Sequence, residues 1–271
     1  MFLAVSLPAP ALLHIGMFSL YNMLIRLEDS PLVRLARHCL SVTPPPPKSW
    51  FTSLDILCHQ YQLMIALSLL NSPPPKNVLK NLVKKKVLNF WEIKLREESQ
   101  CLSSLAYFKP SFYSLSTTHP LWTTVGSSPY ETKKAVVQAR MLSGRYRTEK
   151  LRRHWSTNKE GVCLLPTCNG QIEDLPHVLV GCPALQEARD RVQLMWVNKL
   201  SDKPHILNVV KHYVDKPDSD CIQFLIDPSV LPLVINLKQE YGIVVFDTIF
   251  NLTRTYCYSL HIARLKLLGL L

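Results

Sequence analysis

The stretch CLLPTCNGQIEDLPHVLVGC, from Cys163 to Cys182, carries three cysteines and a histidine in the spacing C-x4-C-x8-H-x4-C. Three thiolates and one imidazole complete a tetrahedral zinc shell with no position left for a substrate, so Cys163, Cys168, His177 and Cys182 are expected to form a structural metal site. A stretch of about twenty residues buries too little apolar surface to offset its ordering entropy, and a metal cross-link makes up the difference. Gly161 and Gly170 supply turns beside the first two ligands, and Pro166 stiffens the loop between them. LPHVLVGC (175–182) reads as a short helix with His177 in its first turn and Cys182 at its end. The x4 spacing of the first pair is looser than the x2 of many zinc knuckles. The competing reading is a chance gathering of reduced cysteines and a core histidine.

Upstream, the chain turns basic. Between Lys133 and His154 stand eight cations, Lys133, Lys134, Arg140, Arg145, Arg147, Lys150, Arg152 and Arg153, against one carboxylate, Glu149. Interleaved with Tyr146 and Trp155, such a run suits a phosphate backbone with room for base stacking. A solvated basic face is the plainer alternative, and the adjacent cysteine module favours nucleic acid. The whole chain points the same way, with 271 residues and a formal net charge of +11. Its 47% hydrophobic content is ample for a buried core, and its length allows one large domain or two small ones.

The remaining cysteines, Cys39, Cys58, Cys101, Cys221 and Cys257, are scattered through helix-like segments and read as buried reduced thiols. That usage favours a reducing nuclear or cytoplasmic compartment. No phosphate-binding glycine loop occurs. Residues 1–25 lack Asp, Glu, Lys and Arg, but Pro8, Pro10, His14 and Asn22 interrupt the apolar start, and no membrane association is expected.

Helical signals dominate elsewhere. Ser30 before Pro31 predicts a helix over 31–41 ended by Pro44 to Pro47, and a second helix follows Ser49 until the prolines at 73–75. Residues 76–106 predict a long helix with Leu79, Val83, Val87 and Phe90 on one stripe. Ser128-Pro-Tyr-Glu131 has the form of a capping box and starts a helix to Leu142, ended at Gly144. Tyr241 to Leu268 reads as one helix with Val245, Ile249, Leu252, Tyr256 and Leu260 approximating its stripe, and His261 beside Arg264 reads as surface or interface. The sequon Asn251-Leu-Thr253 is read as coincidental.

The block KAVVQARMLSGRYRTEKLRRHWS (134–156), followed by GVCLLPTC, EDLPHVL and CPAL, resembles the C-terminal region of non-LTR, LINE-like retrotransposon polyproteins. The segments at 12–32, 49–63 and 252–269 resemble its flanks, so the likeness covers most of the chain. The resemblance implies a CCHC-type zinc-binding module downstream of a polymerase, helping to hold RNA or DNA. Cys163, Cys168, His177 and Cys182 map onto its ligands and Glu173-Asp174 onto the acidic pair before the histidine. The C-x4-C pair departs from the C-x2-C of many relatives.

Polymerase chemistry needs carboxylates that hold two metal ions, and no [FY]-x-D-D element occurs. The enzyme alternative is a restriction-like endonuclease remnant built on Pro217-Asp218, Asp227 and Lys238, for which Ile222–Ile226 and Leu231–Ile235 would be short strands, although both fit buried helix or loop equally well. Its D/E-x-K tripeptide has Asn236 in place of the carboxylate, and Asp218 also reads as a helix cap. The expectation is therefore a mostly α chain, with helical bundle regions flanking a small zinc knuckle: a helical region at 1–155 with its basic segment at 133–154, a CCHC module at 156–195 and a helical region at 196–271. Its expected function is zinc-dependent nucleic-acid binding without catalysis or a small-molecule substrate. A protein-interaction module and a relic without function remain as rivals.

Overall fold

Ser30 Oγ accepts from the Val33 amide at 3.2 Å and Ser49 Oγ from that of Phe51 at 3.3 Å, so two of the expected caps start their helices. The structure, a computed structural model, describes residues 7–27, 30–42, 49–115, 117–153, 160–216 and 218–271. Pro44 to Pro47, His154, Trp155 and Pro217, all used in the sequence reading, lie outside them. The chain is mostly α-helical, and the only β pairing among the described residues is the isolated bridge between Val162 and Ile172.

The chain divides into two compact units, Met1–Ser99 with Ser114–Thr117, and Gln100–Tyr113 with Thr118–Leu271. In the first unit, α1 (Ala9–Leu24), α2 (Pro31–Ser41), α3 (Trp50–Gln60), α4 (Ala66–Asn71) and α5 (Lys76–Gln100) enclose an aromatic core. Tyr21 donates to the Ala66 carbonyl at 2.5 Å, and Trp91 Nε1 to the Tyr61 hydroxyl at 3.0 Å. The buried stripe of α5 is Leu79, Val83, Val87 and Trp91, with Trp91 rather than Phe90 completing the i, i+4 series. α5 ends at Gln100, short of the expected 106, because KLREESQ (94–100) adds no apolar residue to that stripe after Leu95 and the chain passes into the second unit.

The second unit is organised around the long helix α13 (Ile243–Leu267), which buries eleven of its residues. It packs against α7 (Pro129–Leu142), α9 (Gln186–Lys199), α11 (Ser219–Ile226) and α12 (Pro232–Tyr241). The helices α6 (Pro120–Thr123), α8 (Glu149–Arg152) and α10 (Pro204–Val214) complete it. Val245, Ile249, Leu252, Tyr256 and Leu260 are all buried, as their periodicity predicts. The expected continuous helix from Tyr241 is instead broken at Gly242, which has φ 79° and ψ −168°. This conformation is open almost only to glycine and turns α12 into α13.

Ser128 caps α7 through the Tyr130 amide at 3.3 Å, but the capping box is not reciprocal, since Glu131 pairs with Lys134 at 2.7 Å. Neither expected boundary, at 155 or 195, separates the compact units. Residues 118–153 pack with the knuckle and the C-terminal helices because α7 and the knuckle share α13 as their apolar support. Among the described residues no helix is long and apolar enough to cross a membrane. Cys58, Cys221 and Cys257 are buried as expected, whereas Cys39 is half-buried and Cys101 exposed at the end of α5, where the chain leaves the first core.

Candidate metal centre and adjoining basic cleft

After Cys163 the chain rises through a 3-10 turn at Pro166–Cys168 and reverses at Asn169 and Gly170, both in the left-handed region at φ 47° and 76°. The reversal closes with Gln171 N donating to Cys168 O at 3.0 Å and Cys163 N to Gln171 O at 2.8 Å. This folds the first two cysteines onto one side of a hairpin-like loop. Asp174 then starts the expected short helix, its Oδ1 accepting from the His177 amide at 3.0 Å. From His177 to Gly181 the winding widens to a π-turn, and Cys182 N donates to His177 O at 2.6 Å. Such wide turns are frequent at functional sites, and this one brings Cys182 back beside His177.

The ligand atoms of Cys163, Cys168, His177 and Cys182 all lie within 4.8 Å of one another, and all four residues are buried. Cys168 Sγ stands 3.4 Å from Cys182 Sγ. His177 Nε2 is buried with no hydrogen-bond partner among the described residues, which is costly unless something occupies the cluster. Burial pushes the Cys163 thiol up to about 12, and burial with the Cys168 contact pushes Cys182 up, so only a cation would make them thiolates at neutral pH. Burial also lowers the His177 value, which keeps its imidazole neutral and able to ligate. The four residues singled out by spacing thus form one donor set fit to hold a metal ion.

The knuckle is locked to its surroundings by residues whose roles the sequence did not reveal. Glu173 receives Arg264 bidentately, Nε to Oε1 at 2.5 Å and a terminal nitrogen to Oε2 at 2.9 Å, and also accepts from the Glu149 amide at 2.8 Å. Its own carbonyl accepts from Lys150 N at 3.1 Å, and its amide donates to Gly161 O at 2.9 Å. Gly161 is required there, because its φ is +70° and a Cβ would meet Lys150 Cα at 2.9 Å. Arg189, 4% exposed, donates to the Cys182 carbonyl at 2.6 Å and to Gln186. Tyr256 donates to Leu179 O at 2.8 Å. The acidic Glu173-Asp174 pair was visible in the sequence, but nothing local pointed to its partner ninety-one positions away.

The basic segment separates into bound and free cations. Lys134 is buried on Glu131, Arg152 pairs with Glu149 at 2.7 Å and Lys150 with Asp174 at 3.3 Å. Lys133, Arg140, Arg145, Arg147 and Arg153 are exposed and form no ion pair with a described residue. Arg140, Arg145, Arg147 and Arg152 line a cleft of about 860 Å³, together with Val137, Leu151, Tyr146, His261, Arg264 and the leucines at 265, 268 and 270. Tyr146 is itself buried, its hydroxyl 3.2 Å from His261 Nδ1, so its ring is packing rather than an open stacking surface. His261 lines the cleft wall.

The carboxylates of the nuclease reading have other employment. Asp218 caps α11 through the amides of Asp220 and Cys221 at 2.9 and 3.0 Å. Asp227 is fully buried and takes hydrogen bonds from Tyr113 and Ser229, while Lys238 lies over the Phe246 ring at 4.4 Å. Ile222–Ile226 and most of Leu231–Ile235 are helical, not strands. Thr253 of the sequon is buried and bonded to Gln138 at 3.1 Å. No protein-family model, curated protein or solved structure matches the chain.

Proposed function

We propose that the chain is a zinc-dependent nucleic-acid-binding fragment, akin to the region that follows the polymerase in LINE-like retrotransposon proteins and without catalysis of its own. The observation that carries this reading is the convergence of two features on one side chain. Glu173 sits between His177 and the 163–168 loop in sequence, and its carboxylate and carbonyl hold both ends of the basic wall, at Glu149-Lys150 and at Arg264. Ordering the knuckle therefore orders the cations beside it.

Zinc suits the donor set. With zinc–sulfur bonds of about 2.3 Å, a tetrahedral ion holds its sulfurs roughly 3.8 Å apart, near the 3.4 Å between Cys168 and Cys182. Three thiolates around a divalent ion leave one negative charge, and the buried guanidinium of Arg189, which has only neutral acceptors in the carbonyl of Cys182 and the amide of Gln186, supplies its balance. When bound, the metal supplies a cross-link and no open coordination position. The chain's own residues supply the positive field: Arg140, Arg145 and Arg147 face solvent unpaired and suit RNA or DNA phosphates. Without a metal, His177 Nε2 would be left unpartnered and the Arg189 guanidinium without a counter-charge.

The test is metal content followed by binding. Purified protein is expected to hold one equivalent of zinc, which Cys163→Ser or Cys182→Ser reduces or abolishes. Affinity for RNA and DNA is expected to fall steeply with salt and to collapse on chelation. A folded wild-type protein free of metal, or an affinity indifferent to salt, would overturn the reading.

A further inference from the structure

The cleft beside the knuckle has two kinds of wall, and the combination narrows its ligand. Part of its lining is guanidinium, with Arg140 from the end of α7, Arg145 and Arg147 from the following loop, Arg152 from α8 and Arg264 from α13. The rest is mostly apolar and includes Leu265 near the end of α13 and, just beyond that helix, Leu268 and Leu270. No carboxylate among the described residues lines it. Among the described residues, the acids bonded to its arginines are Glu149 on Arg152 and Glu173 on Arg264, which leaves three guanidiniums for a ligand.

We propose that this cleft seats unpaired nucleotides of a single strand, with phosphates on Arg140, Arg145 and Arg147 and base faces against Leu265, Leu268 and Leu270. The proposal rests on the nucleic-acid reading above and adds strand state and contact residues to it. A duplex keeps its base faces stacked inside and presents phosphates at its surface, so it would satisfy the arginines and leave the leucine wall uncovered. An unpaired strand offers both chemistries within one nucleotide repeat, and stacking or apolar contact with bases is sequence-tolerant. Three unpaired arginines spread over a helix end and a loop also exceed what a single anionic headgroup needs, whereas consecutive phosphates match them. The volume of about 860 Å³ lies in the range of cavities that enclose a small ligand rather than a flat electrostatic patch. The electrostatics agree: the Arg264 and Arg140 cations add to burial in holding the His261 imidazole below its ordinary value.

The experiment compares oligo-U and oligo-dT strands with a duplex of equal length, titrated into zinc-loaded full-length protein at several salt concentrations. Wild type is expected to prefer the single strands. Arg140→Gln and Arg147→Gln are each expected to weaken strand binding and reduce the salt slope by about one. Leu268→Ser is expected to weaken it about tenfold through lost apolar burial, with the salt slope unchanged, which a loss of charge would not produce. Lys85→Gln, exposed on α5, serves as the charge-matched control and leaves affinity unchanged. Each variant is checked for wild-type zinc content and denaturation midpoint, so misfolding is visible as such.

Strand binding that depends on zinc yet is indifferent to Arg140, Arg147 and Leu268 overturns the cleft and leaves the nucleic-acid reading standing. Equal affinity for duplex, with Leu268→Ser silent, overturns the single-strand assignment. Binding of anionic phospholipid vesicles with no binding of any oligonucleotide overturns both readings.

Discussion

Glu173 and Arg264 form a nearly solvent-free ion pair, their side chains 3% and 6% exposed, between the knuckle and the last helix. Breaking such a pair from one side leaves an uncompensated buried charge, which costs about 3–5 kcal/mol. Glu173→Gln is accordingly expected to lower stability by about that amount in chemical denaturation, and adding Arg264→Met to recover much of it. Equal instability of the single and double variants would show that the pair is not the origin of the loss. His261 makes a different statement at the same scale. Burial, then the Arg264 and Arg140 cations, hold its pKa down, while Tyr146 meets its ring and Tyr258 lies nearby. Below about pH 6.5 the unfolded chain binds the proton before the folded one, so this contribution to stability is present above that pH and lost as pH falls toward the folded value. His177 is shifted in the same direction, so the informative quantity is the difference between wild type and His261→Gln. The variant is expected to lose less stability than wild type between pH 7 and 5, and parallel curves would contradict it.

At the scale of elements, backbone conformation decides what side-chain pattern leaves open. The stripe of α13 continues a helical period through Tyr241, yet Gly242 breaks it, in a conformation that L side chains rarely adopt. Space is open around a Cβ at that position, so Gly242→Ala isolates the backbone term. A loss of about 1–3 kcal/mol is expected from the denaturation midpoint, and a neutral result would mean that the joint relaxes into a continuous helix. The π-turn at His177–Gly181 is the counterpart in the knuckle. Its i to i+5 hydrogen bond from Cys182 N to His177 O returns the last member of the cluster beside the third.

For the whole molecule, the division into two units separates the cost of losing metal from the helices α1–α5 of the first unit. The knuckle reaches the second unit's core through Tyr256 on Leu179 O, Arg189 on Cys182 O and Arg264 on Glu173. The first unit has its own core around Tyr21, Tyr61 and Trp91. Chelation is therefore expected to raise amide hydrogen exchange across 145–190 and along the C-terminal half of α13 while leaving α1–α5 protected. Uniform loss of protection in both units would indicate a single cooperative fold.

The sequence by itself determined what acts over one or two helical turns: the serine caps at 30, 49 and 128, the buried stripe of α13, the Asp218 cap and the four members of the Cys3His cluster. Each of these depends on neighbours a few residues away, so local chemistry suffices. Only the tertiary structure decided that Lys134, Glu149, Glu173, Arg189 and Arg264 are buried, because charged residues are ordinarily solvated and their exceptions arise from partners distant in sequence. It also decided that half of the basic segment meets the end of α13 in one cleft while Lys134 and Lys150 are consumed by carboxylates. That pairing requires closing a loop of more than a hundred residues, from Arg140 to Leu268, and no periodicity or spacing within either segment encodes its outcome.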